Sequence, residues 1–384
     1  MMASLIKSVG FLGTYSIAAS RLGHGCSLQR KHATMAMAVS TDRADEVRFD
    51  LSTFLETKKT SIASALDHAI VVQRPASIYE SMRYSVFADS SRVCPLLCIS
   101  ACELVGGSSD LAMPTACALE MVHTASFIHD DLPCMDDDEL RRGKAANHKV
   151  FGEDLAILAG DALYALGVEH VAVNSKGVCP DKLLQVISEL GKAVGSEGMV
   201  AGQYLELASN ENDEELTFEA LQDIHLQKTA AYAECSTVCG AILGGADEEQ
   251  IQSLRQYGRA LGLLYEVVVD MTEQQSKDSS KSPSSYIKVL GLDKCKEYGK
   301  RLRSEAKSYL SGFDAKKALP LLCFVDQLAD RVGYSFVLQC GDMKLVDWKA
   351  AGHESSITYF EIPTSPNFGT YGTGSQLTIL YLTL

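Results

Sequence analysis

The chain has 384 residues, 46% of them hydrophobic, and a formal net charge of −14. That is enough apolar material for one large core or two modest ones. So acidic a molecule does not as a whole seek nucleic acid or anionic membrane, and an anionic ligand would need locally placed cations or bound metal.

The first 41 residues stand apart. Lys7, Arg21, Arg30 and Lys31 are the only charges before Asp42, and serine recurs. Basic, serine-rich and acid-free composition fits an organelle transit peptide or a disordered tail. Residues 51–70 read as an amphipathic helix through Leu51, Phe54, Leu55, Ile62, Leu66 and Ile70. "PASIYESMRYSVFA" follows, with Pro75 near the start of the next helix. "VCPLLCISACELVGG" is apolar and stops at Gly106-Gly107. Pro114 is expected to open a helix that runs through "ACALEMVHTASFIHDD". "DLAILAGDALYALGVEHVA", then 182–199, 218–243, 248–270 and 293–310, are strongly helical patterns. No alternating-strand pattern or internal repeat precedes residue 350. No stretch reaches ~18 uninterrupted apolar residues. The expected architecture is all-α, one helical domain over 42–335 with a buried central bundle. The remainder, 336–384, is rich in Thr, Ser, Gly and Pro and is expected to be a poorly ordered tail.

Twelve cysteines lie mostly in apolar, helix-like contexts. Free buried thiols in a reducing compartment are the default for that usage, and a chloroplast stroma fits.

The chemistry concentrates in "FIHDDLPCMDDDELRRGK", residues 127–144. Pro133 forces the chain out of the helix and brings Asp136 back toward Asp130 and Asp131. Clustered carboxylates repel unless a cation sits among them. Hard oxygen donors suit Mg²⁺, which bridges to phosphate, and Arg141 and Arg142 offer forked donors to phosphate oxygens. On composition alone a solvated acidic loop remains an alternative.

This stretch resembles the first aspartate-rich motif of the trans-prenyltransferases, the polyprenyl diphosphate synthases, and among them the plant geranylgeranyl diphosphate synthases. "FGEDLAILAGDAL", "GQYLEL", "IHLQKTAA" and "GAILGGA" follow in the expected order, so the resemblance spans most of 77–322. It implies the isoprenoid-synthase helical bundle around a central cavity, dimers, and Mg²⁺-assisted ionisation of an allylic diphosphate that alkylates isopentenyl diphosphate. It assigns Asp130, Asp131 and Asp136 to metal. It assigns Arg141, Arg142, His123, Arg92, Lys228, Thr229 and Gln203 to substrate.

Two departures follow. Where the family carries a lysine and an arginine before the proline of "RVCP", this chain has Ser91 and Cys94, and only Arg92 remains. Charged hydrogen bonds to phosphate contribute about 1.5–3 kcal/mol each, so the two losses weaken diphosphate binding by two or more decades. The second aspartate motif reads Val269, Asp270, Met271, Thr272, Glu273, with its leading carboxylate gone. Cys94/Cys98 and Cys235/Cys239 form two C-x-x-x-C pairs, each on one helical face. They resemble the signature of the small subunits of heterodimeric geranyl diphosphate synthase, which implies a partner interface. A zinc site from the four thiols and simple core packing are the alternatives. Three readings stand. The first is a plastid regulatory subunit paired with a catalytic geranylgeranyl diphosphate synthase. The second is an independently active Mg²⁺-dependent short-chain prenyltransferase using isopentenyl, dimethylallyl or geranyl diphosphate. The third is a non-catalytic prenyl diphosphate binder.

Overall fold

Helix follows helix in a computed structural model that describes residues 49–211, 216–275 and 285–331, together with 344–345 and 360–361. The expected segment 1–41 lies outside the described residues. Of 336–384, the described part beyond the domain is one antiparallel strand pair, Lys344–Leu345 with Phe360–Glu361.

The helices are α1 (Leu51–Ala69), α2 (Ala76–Val86), α3 (Val93–Leu104), α4 (Ser109–Asp130), α5 (Asn147–Phe151), α6 (Glu153–Asn174), α7 (Pro180–Val194) and α8 (Met199–Glu211). They continue with α9 (Phe218–His225), α10 (Ala231–Gly244), α11 (Glu248–Gln275), α12 (Tyr286–Leu290), α13 (Leu292–Ser308) and α14 (Ala315–Asp330). A two-residue hairpin, β1 (Leu140–Arg141) and β2 (Lys144–Ala145), stands between α4 and α5. The all-α expectation holds.

Two helix boundaries differ from the sequence reading. α4 begins five residues before Pro114, because the Ser108 side chain accepts from the Leu111 N–H at 3.4 Å and caps the helix there. The pattern over 218–243 is one helical run in sequence, yet it is broken by a π turn at Leu226–Ala230. That turn carries Lys228 and Thr229, and such insertions recur at functional sites.

α3, α4 and α10 are apolar on nearly every face and form the buried centre. α4 packs on α3 and α6, and α10 packs on α3 and α11. α4 and α6 have the length and mean hydropathy of membrane-crossing helices, although polar residues interrupt both. For α4, 72% of the apolar window is buried within the protein; for α6 the share is 33%. α6 therefore presents an apolar outer surface.

The cysteine pairs require a correction. Cys98 and Cys239 are fully buried, and Cys94 and Cys235 nearly so. Gly240 explains why. A Cβ there would meet the Cys98 carbonyl oxygen at 2.1 Å, so the glycine lets α3 and α10 touch. The thiols fill the space beside that contact, with Cys235 Sγ and Cys239 Sγ 3.7 Å apart. They face the chain's own core. Burial pushes Cys94 up to about 12, which keeps it a neutral thiol rather than a metal-ready thiolate. Among the described residues no group of three or more His, Cys, Asp or Glu side chains is arranged to hold a metal. Core packing is the reading that remains.

Replacing Cys98 and Cys239 together by serine buries two hydroxyls and should destabilise the isolated chain by about 1–3 kcal/mol, read as a lower midpoint in urea. An unchanged midpoint would contradict a packing role for the thiols.

Candidate active site

Asp130 is the last residue of α4. Pro133 ends the helical path, and the Asp136 N–H donates to the Asp130 carbonyl at 2.9 Å, closing the turn that returns Asp136 to Asp130. In the hairpin that follows, Arg142 (φ 51°) and Gly143 (φ 78°) occupy the two left-handed turn positions that a tight β-hairpin demands. This turn folds both arginines back over α4. Their guanidinium carbons lie 4.8 and 5.1 Å from the centre of the Phe127 ring.

The two arginines then diverge. Arg141 Nε donates to Asp131 Oδ1 at 2.6 Å, and its Nη2 donates to Asp138 at 2.8 Å. Arg142 Nη2 pairs with Glu120 at 3.1 Å, and Arg92 Nη1 lies 2.6 Å from the same Glu120 oxygen. Glu120 is completely buried. Burial opposes its charge, but Arg142 and Arg92 outweigh that and hold its carboxyl below the usual range. Ser90 Oγ donates to Glu120 as well, at 3.1 Å.

Lys228 sits on the π turn. It reaches across to α8 because Gly202 lets the two backbones touch: a Cβ at Gly202 would meet the Lys228 nitrogen at 2.3 Å. Lys228 Nζ donates to Glu206 and lies 3.9 Å from Asp130. Burial alone would lower its pKa, yet Asp130 and Glu206 carry it above the ordinary lysine value. Thr229 Oγ1 donates to Glu266 of α11 at 2.6 Å, and both are buried.

The structure thus joins Asp130, Asp136 and Lys228 with Glu206, and it takes Asp131 away. Asp131 is almost fully buried beneath Arg141, and burial lifts it to about 6. Burial and the neighbouring Asp130 likewise raise Asp136 to about 6. Two neighbouring carboxylates beside Lys228 fit a divalent ion that also takes phosphate and water oxygens. Asp130 and Asp136 are the carboxylates of this turn placed to hold magnesium, while Asp131 is turned to Arg141.

His123 lies between the rings of Phe127 (4.4 Å) and Tyr232 (5.7 Å), and burial drives it down to about 4, so it is neutral at physiological pH. Gln203 Nε2 is buried without a hydrogen-bond partner next to Gly202. Ser91 is half-buried, and Cys94, the second residue of α3, is buried. On α11, Val269 is buried, Asp270 is pushed up to about 8 chiefly by burial, and half-buried Glu273 is also raised by burial.

Sequence reasoning missed Glu120, Glu206 and Glu266. Each is an acid inside an apolar helical run, "CALEMV", "QYLEL" and "LLYEVV". A buried carboxylate needs a donor or a cation, so an acid on an apolar face signals a partner.

A family model described as polyprenyl synthetase matches residues 75–284. A chloroplastic geranylgeranyl pyrophosphate synthase of Catharanthus roseus is 48% identical over 293 residues, 74% of this chain and 82% of that protein. The chloroplastic heterodimeric geranylgeranyl pyrophosphate synthase large subunit 1 of Arabidopsis thaliana is 47% identical over 296 residues, 74% of this chain and 80% of that one. Among solved structures, the apo FPP/GFPP synthase of Zymomonas mobilis superposes with a TM-score of 0.68 at 30% identity, covering 73% of this chain and 98% of that one. With the helical fold, the aspartate turn and the arginine hairpin in place, the chain belongs to the polyprenyl synthetase family, the prenyltransferases of isoprenoid biosynthesis.

Proposed function

We propose that this chain is the plastid regulatory partner of a catalytic geranylgeranyl diphosphate synthase, with weak prenyl transfer of its own. The observation that carries this reading is the internal pairing of the cations that the family resemblance assigns to diphosphate. Arg92 and Arg142 share Glu120, Arg141 holds Asp131, and Lys228 holds Glu206. With Ser91 and Cys94 in place of two further cations and Val269 in place of a carboxylate, the surplus at these described residues is the one guanidinium left over where Arg92 and Arg142 share Glu120. An incoming diphosphate must displace these carboxylates before it binds.

Asp130 and Asp136 would hold magnesium together with diphosphate oxygens, and the metal would withdraw charge from the departing diphosphate. Lys228 would add its charge from the opposite wall, and the His123, Phe127 and Tyr232 rings would form an apolar wall that excludes water. This half of the machinery supports substrate retention by the subunit.

The partner would dock on α6. Ile157, Leu158, Val168 and Val173 are exposed along that helix, an apolar surface that a related helical subunit of like chemistry would cover. The Arabidopsis relative is itself named as one half of a heterodimer. The chloroplastic names of the relatives and the basic, acid-free leader support a plastid location. The alternative of an independently active synthase rests on the Catharanthus relative and on the intact Asp130–Asp136 turn.

Calorimetry with Mg²⁺ and geranyl diphosphate separates the carboxylates. Asp130→Asn with Asp136→Asn should abolish the Mg²⁺-dependent heat. Asp131→Asn should instead lower thermal stability, since it weakens a buried charged pair. Loss of the heat in the Asp131 variant alone, with its stability unchanged, would restore Asp131 as a ligand.

Assayed alone, the chain should turn over at least about 100-fold more slowly than a catalytic synthase, from two missing phosphate contacts. Mixed with that synthase it should co-purify and change product length. Ile157→Glu with Leu158→Glu should prevent both. Geranylgeranyl diphosphate made at full rate by the chain alone would support the independent-synthase reading instead.

A further inference from the structure

Asp270 is the carboxylate that survives where the second aspartate motif aligns, and its surroundings give it a different task. Ser285 caps α12, its Oγ accepting from the Ile287 N–H at 3.2 Å. The next backbone donor, the Tyr286 N–H, belongs to the first turn of that helix and has no partner within it. Asp270 Oδ2 accepts it at 2.6 Å, and the Ser285 side chain also hydrogen-bonds Asp270. The N-cap and the first residue of α12 therefore converge on one carboxylate of α11.

The receiving site is dry and aromatic. Tyr286 is fully buried and Asp270 nearly so. The Tyr286 ring packs edge-on against His225 of α9 at 4.7 Å and Tyr298 of α13 at 5.2 Å, with Phe218 at 6.1 Å. A backbone N–H buried in such a cluster is costly to leave unmade. Residue 269, one position earlier, is a buried valine. The two adjacent positions thus serve the core and the helix start.

We propose that Asp270 is a positioning residue that fixes the start of α12 on α11 and does not ligate metal. This holds whether the chain acts as a regulatory subunit or as an independent synthase. It means that the second aspartate motif has lost two of three carboxylates, one to Val269 and one to the α11–α12 tie.

The distinction is testable because an amide oxygen accepts a hydrogen bond as a carboxylate does but is a poor ligand for Mg²⁺. The full chain would be compared with Asp270→Asn and Asp270→Ala by amide hydrogen exchange, thermal unfolding, and calorimetry with Mg²⁺ and inorganic pyrophosphate. Asn should keep the wild-type protection of the Tyr286 amide and the wild-type pyrophosphate isotherm. Ala should speed exchange at Tyr286 by about tenfold or more and lower Tm by about 2–6 °C. Unchanged Tyr286 exchange in the Ala variant overturns the proposal. So does faster exchange in the Asn variant that matches Ala, or a tenfold weaker Mg²⁺-dependent affinity in the Asn variant with protection intact. The exchange result decides by itself if the wild type gives no pyrophosphate heat.

Discussion

Buried charge has to be balanced inside the chain, and Glu120 is where that requirement is most severe. Its carboxylate is completely enclosed by α4's neighbours, and two guanidinium groups meet on one oxygen. Removing both arginines would leave an uncompensated charge in the core, a loss of about 3–5 kcal/mol in comparable buried pairs, whereas removing one still leaves Glu120 paired. The rest of the site follows from this arrangement. The hairpin must carry Arg142 back to α4, which fixes Arg141 over Asp131. That leaves Asp130 and Asp136 as the carboxylates of this turn that act on Lys228.

Balance of this kind stabilises the empty fold at the expense of ligand affinity. Each guanidinium or ammonium that an arriving diphosphate would use already faces a carboxylate, with Arg92 and Arg142 sharing one, so binding competes with pairs already made. A family member with additional cations retains a surplus in that competition. Here Ser91 and Cys94 supply none. The helical scaffold, with its close contacts at Gly202 and Gly240 and its apolar α6 surface, persists undiminished. A scaffold kept while its phosphate grip is reduced suits a subunit whose main work is done against another chain.

Much of this was legible in the residues. Periodicity located most of the long helices but not α5, α8, α12 or α14, and the Pro133 break returned Asp136 to Asp130. The failures share one physical cause: sequence shows which residues lie on a face but not what the face meets. The i, i+4 thiols of Cys94/Cys98 and Cys235/Cys239 do share helix faces, and those faces turn inward on each other. Three aspartates read as one donor set, whereas the left-handed turn at Arg142 places Arg141 on one of them. The π turn under Lys228 has no periodic signature, since one inserted residue alters the phase of a helix without altering its composition.

The most direct measurement is solo turnover of a variant with the missing charges restored, Ser91→Lys with Cys94→Arg and Val269→Asp, against the unaltered chain under saturating Mg²⁺. If depleted charge is what limits this site, the restored chain should synthesise prenyl diphosphate at least about 100-fold faster on its own, from contacts of about 1.5–3 kcal/mol each. A folded triple variant with unchanged turnover, or an unaltered chain already as fast as a catalytic synthase, would contradict the assignment.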